Sequence, residues 1–334
     1  MVPMRREAGP MHDSPRARLA RTAAVLTAPL LVLPACGAAA DGDDGVTVLT
    51  SAYPFTFVAE RVAGDLATVE NVTAPGVDPH DVELTGRQVA AFGSADVIVY
   101  TESFQPAVDA AVEQADRDAG VVELGEVVGL LEGDEEHDHE GEEHSDEEGH
   151  SDEDHEGHDH GGVDPHFWLD PSRMASAAEA VRDALVSADA DNADTYQANA
   201  ASLVAELETL DEDYTAGLAT CERRSIVTSH EAFAYLADTY DLQQYPIAGL
   251  NPSDEPTGAQ LAAITDLVED QGITTVFTEE LVSAAIADTV ASATGARTAT
   301  LDPIEGLSDE TADDDYLTIM ERNLDAVREA NGCS

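Results

Sequence analysis

Between Asn192 and Leu218 the chain carries one unbroken apolar stripe. Tyr196, Ala200, Leu203, Leu207, Leu210, Tyr214 and Leu218 recur at three- and four-residue steps. That period belongs to an amphipathic helix with one buried face. At ~1.5 Å per residue the helix reaches about 40 Å. Asp191 stands where it would cap the start. A rod of this length divides the chain, and whatever folds before and after it must pack along it.

The same alternation occurs on both sides. The strand-like runs Val46–Thr50, Ala67–Thr73, Asp96–Thr101 and Val121–Leu124 precede the stripe, and Ser225–Thr228, Gln243–Ile247, Thr274–Thr278 and Arg297–Leu301 follow it. Helical stretches lie between them, among them Phe55–Gly64, Thr85–Phe92 and Thr257–Gln271. Strand and helix in alternation predict parallel sheets covered by helices on both faces. The expected fold is therefore α/β, with two similar parallel-sheet lobes joined by one long rigid helix. A chain of 334 residues exceeds what one core usually serves. The expected organisation is a leader over 1–36, a tether over 37–45, an N-terminal lobe over 46–190, a linking helix over 191–219 and a C-terminal lobe over 220–334.

The leader has Arg5, Arg6, Arg16, Arg18 and Arg21 before an uncharged apolar run from Ala23 to Leu33. That run is too short for a membrane span, which needs roughly 20 residues, and suits the core of a secretion signal. It ends in Leu33-Pro34-Ala35-Cys36-Gly37, which resembles a bacterial lipobox with Cys36 as the lipidated residue. More than one acyl chain on such a cysteine suffices for stable anchoring. The alternative is an ordinary secretion signal followed by a free cysteine. Cys221 and Cys333 remain, and two cysteines outside the reducing cytosol are expected to be bridged. The alternative is two free thiols.

Residues 132–162 form an insertion of a different kind. It holds sixteen acidic residues and seven histidines, His137, His139, His144, His150, His155, His158 and His160, with almost nothing apolar. It cannot bury a core, and its like charges repel, so disorder is expected. Its imidazoles and acids suit weak capture of cations. The alternative is a solvated spacer. The formal net charge of −54 argues against nucleic acid or anionic lipid as the main partner and favours cations.

Of the eleven histidines, only His80, His166 and His230 fall in segments expected to fold. The first two end identical pentapeptides, Gly76-Val77-Asp78-Pro79-His80 and Gly162-Val163-Asp164-Pro165-His166. Proline restricts both itself and the residue before it, so each imidazole sits on a rigid turn, with Asp78 and Asp164 placed to cap local backbone donors. His230 lies just past the strand-like Ser225–Thr228, at the end where open α/β sheets bind ligands. Three imidazoles with one oxygen donor suit tetrahedral Zn²⁺. Glu279 and Glu280 follow the strand-like Thr274–Thr278 and could reach the same region as outer partners; the alternative is a solvated acidic strand end.

These segments together resemble the metal-binding cluster of the bacterial solute-binding lipoproteins that import zinc and manganese. The matching stretches are Tyr53-Pro54 through Asp65, Pro75 to Leu84, Ala95-Asp96 to Tyr100, Asp164 to Pro171, Thr228 to Tyr235, and Leu301-Asp302-Pro303. The resemblance implies a metal site in the cleft between the lobes. It implies His80, His166 and His230 as ligands, with Asp302 as the fourth. Manganese-preferring relatives tend to have a carboxylate where this chain has His230, and nitrogen-rich ligation suits zinc. A His- and acid-rich insertion before the second Asp-Pro-His also resembles the zinc branch. The implied role is extracytoplasmic capture of Zn²⁺ and its delivery to an ABC-type membrane permease, by a lipid-anchored monomer that is not an enzyme. The alternatives are a manganese-binding homologue, a surface zinc buffer or adhesin, and a zinc hydrolase in which a ligand position stays open to water.

Overall fold

The computed structural model describes residues 45–117, 119–132 and 162–334. Cys36 and the seven insertion histidines lie outside the described residues.

The first half runs β1 (Val46–Thr50), α1 (Tyr53–Ala63), β2 (Ala67–Asn71), α2 (Gly86–Phe92), β3 (Val97–Tyr100), α3 (Pro106–Ala115), β4 (Val121–Glu123) and α4 (Leu124–Val128). Two short strands follow, β5 (Leu131–Glu132) and β6 (Val163–Asp164), and then α5 (Pro171–Ala188) and α6 (Ala193–Leu218). The second half runs β7 (Ser225–Thr228), α7 (Ala234–Thr239), β8 (Gln243–Pro246), α8 (Gly258–Gln271), β9 (Thr275–Thr278), α9 (Ala285–Thr294), β10 (Arg297–Thr300) and α10 (Tyr316–Asn331).

All eight expected strands form, in two four-stranded sheets. The first has the order β2-β1-β3-β4, and the second, read from its far edge, β8-β7-β9-β10. The two orders are equivalent, and every pairing is parallel. Central β3 is buried along its whole length, as a strand covered on both faces should be. Helices α2 and α8 are N-capped by Thr85 and Thr257, each with a reciprocal capping box to the glutamine three residues on.

The stripe of α6 is buried at all seven expected positions. The helix packs against α1 and α5 on one side of the chain and against α10 on the other. Tyr214 donates to the carbonyl of Met320 in α10 at 2.7 Å, and Asn199 donates to Val62 at the end of α1 at 3.0 Å. One large apolar core joins both sheets through this helix, and smaller clusters lie beneath α2 and α3 and beneath α8 and α9. Asp191 does not cap the helix. A short 3₁₀ turn over Ala190–Asn192 moves the start along, and Asp189 instead accepts from Asn192 Nδ2 and the Tyr196 hydroxyl.

Cys221 and Cys333 are joined, so the approach to β7 is tied to the end of α10. Among the described residues no helix is long and apolar enough to cross a membrane.

Candidate metal centre

One local device builds much of the site. After Asp78, Asp164, Asp170 and Asp302 comes a proline, and each aspartate Oδ1 accepts the amide N–H two residues on, at 2.9, 2.9, 2.8 and 2.7 Å. Asn251 makes the same turn with Ser253 at 2.8 Å. Proline presets the backbone, and the short side chain captures the next free donor. Two of these turns present His80 and His166 directly. The Asp302 turn presents Glu305 one residue later. His230 comes from the C-terminal end of β7, as expected.

The four side chains converge. The Nε2 atoms of His80, His166 and His230 lie 3.3, 3.1 and 3.1 Å from the same Glu305 Oε1. One potential ligand atom from each residue falls within 4.8 Å of all the others. His166, His230 and Glu305 are buried, whereas His80 keeps slight exposure, with 8% of its side chain accessible. The edge of the Phe104 ring contacts His80 at a centroid distance of 4.9 Å and completes the wall.

Each ring is held from behind. Asp164 Oδ1 sits 2.7 Å from His166 Nδ1, and the Glu279 carboxylate 2.7–2.8 Å from His230 Nδ1. These contacts turn the Nδ1–H toward a carboxylate and leave Nε2 for the centre, a common arrangement behind metal-bound histidine. For His80 the grip is on the backbone. Asp78 accepts its amide, and Gln105 donates to the carbonyl of Pro79 at 3.2 Å and to Thr73 at 2.9 Å.

Burial works against charge on His230, but Glu279 and then Glu305 outweigh it and push its pKa up to about 10. Burial likewise opposes protonation of His166, and Asp164 with Glu305 still raises it. Burial alone would raise Glu305, yet hydrogen bonds from His166, His230 and His80 hold it well below the usual carboxylate range.

The expectation for Asp302 requires correction. The structure does not bring its carboxylate into the four-residue group; Glu305 stands there. Asp302 Oδ1 is committed to the Ile304 amide, and its backbone is clamped by Asn323, which accepts from the Asp302 N–H at 2.9 Å and donates to its carbonyl at 2.6 Å. Its Oδ2 is buried with no partner, and burial is the main cause that pushes its pKa up to about 7. Trp168 Nε1 also donates to the Pro303 carbonyl at 2.7 Å, fixing the Glu305 loop to the turn after His166. Ile304 takes a φ of 59°, a rare conformation for a β-branched residue, and the next side chain enters the cluster. The sequence carries only a partial signal: Asp302-Pro303 is the fourth Asp-Pro, and two of the earlier ones are followed directly by a histidine donor. Glu279 lies where an outer partner was expected, whereas Glu280 instead approaches Ser308.

The sequence profile of the family described as ZnuA, zinc-uptake complex component A, periplasmic, matches residues 48–330. The zinc-binding lipoprotein AdcA of Streptococcus pneumoniae is 36% identical over 307 residues, which are 90% of this chain and 58% of that protein. The chain therefore spans little more than half of that relative's length. The high-affinity zinc uptake system protein ZnuA of Bacillus subtilis is 35% identical, over 92% of this chain and 96% of that one. Among solved structures, the Zn(II)-bound ZnuA-like domain of S. pneumoniae AdcA matches with a TM-score of 0.68 at 31% identity, covering 86% of this chain and 99% of the domain. With its two equivalent sheets, its spine helix and its cluster of three histidines and a carboxylate, the chain belongs to the ZnuA family.

Proposed function

We propose that the chain captures Zn²⁺ outside the cytoplasm and passes it to an ABC-type membrane permease, with His80, His166, His230 and Glu305 as the ligands. The observation that carries this reading is the convergence of three Nε2 atoms on one carboxylate oxygen, with two of the rings held from behind by carboxylates. Three imidazoles and a carboxylate suit zinc better than manganese. Four protein donors make a closed set, whereas catalytic zinc keeps a position open to water, so the arrangement favours holding an ion over hydrolysis.

Calorimetric titration of the mature chain in buffers of different ionisation enthalpy tests this. His166 and His230 each set Nδ1 against a carboxylate and Nε2 against Glu305, contacts that favour the protonated rings. Each Nε2 proton must leave before that nitrogen can ligate. One tight equivalent is expected near pH 7, with release of protons from the histidine rings. Because the folded pKa values are raised, and reach about 10 for His230, apparent affinity should rise with pH from neutral toward that value. Absence of a tight equivalent would sink the assignment. Weaker equivalents beyond the first would be attributed to His137, His139, His144, His150, His155, His158 and His160.

The same reading places the chain on the outer face of the membrane through a lipid on Cys36. Cys36→Ser should move the protein from the membrane fraction to the medium or leave an unprocessed precursor. A mature-sized variant that still sediments with membranes would contradict the anchor.

A further inference from the structure

The phenolic oxygen of Tyr235, in α7, joins two segments that the chain separates widely. It accepts the Leu131 N–H of β5 at 2.7 Å and donates to the Asp164 carbonyl of β6 at 2.6 Å. The two strands are an antiparallel pair, with Leu131 opposite Asp164 and Glu132 opposite Val163. They are only two residues each, too short to stay paired on backbone hydrogen bonds alone. The Tyr235 hydroxyl is thus a rivet through both strands at the residue pair nearest the metal cluster.

That residue pair matters because Asp164 faces two ways. Its carbonyl is held by Tyr235, and its carboxylate holds both the amide and Nδ1 of His166. Tyr235 is itself fixed. The Arg173 guanidinium lies 4.9 Å over its ring, pairs with Asp170 at 3.3 Å and donates to the Val128 carbonyl at 2.7 Å. Tyr235 also sits five residues after His230 in the chain.

We propose that Tyr235 is a positioning residue for metal binding: its hydroxyl sets the Asp164 peptide and, through the Asp164 carboxylate, aims His166 Nε2 at the ion. The proposal rests on the ligand set given above. It adds a link from the His230 side of the cluster to His166 that contacts no ion. Loss of an outer partner of a metal-bound histidine typically weakens metal binding about 10–100-fold. One bond removed, Tyr235 acts on the carboxylate that performs that role.

The test is a double-mutant cycle on the full chain with Tyr235→Phe and Asp164→Asn, read by zinc competition titration and by the visible spectrum of the Co²⁺-loaded protein. Tyr235→Phe should bind zinc about 10-fold more weakly and change the intensity of the Co²⁺ bands, because the aim of one nitrogen changes. If Tyr235 works through Asp164, the double variant should be little weaker than Asp164→Asn alone, since linked residues are not additive. Fully additive losses, or a Tyr235→Phe protein with parental affinity and spectrum, would overturn the proposal. Should Tyr235→Phe fail to fold, hydrogen exchange of the Leu131 amide in the unaltered chain decides. Protection should increase on zinc loading, and unchanged exchange overturns the coupling. If the unaltered chain itself bound no zinc tightly, the ligand assignment would have failed instead.

Discussion

Glu305→Gln is expected to weaken zinc binding by more than about 100-fold, beyond what loss of an outer partner costs, whereas Asp302→Asn should stay within about 10-fold of the parent. The contrast follows from the different tasks of the two carboxylates. Glu305 Oε1 lies within 3.3 Å of all three Nε2 atoms, so its amide replacement removes the anionic donor from the centre. Asp302 needs only an acceptor oxygen for the Ile304 amide, and Asn251 shows that asparagine makes the same turn in this chain. Competition titration of both variants, with X-ray absorption of the zinc-loaded forms, measures the difference. The light-atom shell around zinc should be unchanged in Asp302→Asn and altered in Glu305→Gln. Equal losses, or the reverse order, would return the fourth position to Asp302.

The largest effect on stability is expected from the bridge between Cys221 and Cys333, which are 112 residues apart in sequence. The chain-entropy account gives about 4–5 kcal/mol for closing a loop of that size in the unfolded state, with measured values often nearer 2–4. Replacing both cysteines by serine should lower the urea midpoint accordingly, with little change in zinc affinity at temperatures where the variant stays folded. Glu222 and Arg223 donate to the Asn331 carbonyl beside the bridge, so the native contact has support without it. An unchanged midpoint would mean that other contacts already restrain these ends in the unfolded chain.

Regular elements were legible because they repeat a period. The stripe of α6 and the eight strands of the two sheets follow from spacing and residue type, and their ends moved by no more than two residues. The pair β5 and β6 was not legible. Two residues carry no period, and the contacts on the pair include hydrogen bonds to a tyrosine from α7, far along the chain. His80, His166 and His230 stood out by being few and by sitting on turns or a strand end. Glu305 did not, since a lone glutamate in an acidic chain has no statistical weight. Its place follows from the conformation of the residues before it, above all the unusual backbone of Ile304. Gln105 was equally silent until its amide was seen supporting the carbonyl before His80.

The equivalence of the two sheets has a consequence for release. His80 and His166 come from connections around the first sheet, and His230 and Glu305 from the second. On the proposed ligand set, each half of the chain supplies two teeth of a four-toothed chelator made by juxtaposing the halves. Chelation strength grows steeply with the number of teeth that engage at once, because the second pair binds at high effective concentration. Separating the halves slightly, with no bond to the ion attacked directly, would turn one strong chelator into two weak ones. On the proposed function, the hold on the ion then depends on a mechanical coordinate, the gap between the halves, which a membrane partner would set by gripping surfaces far from the ion.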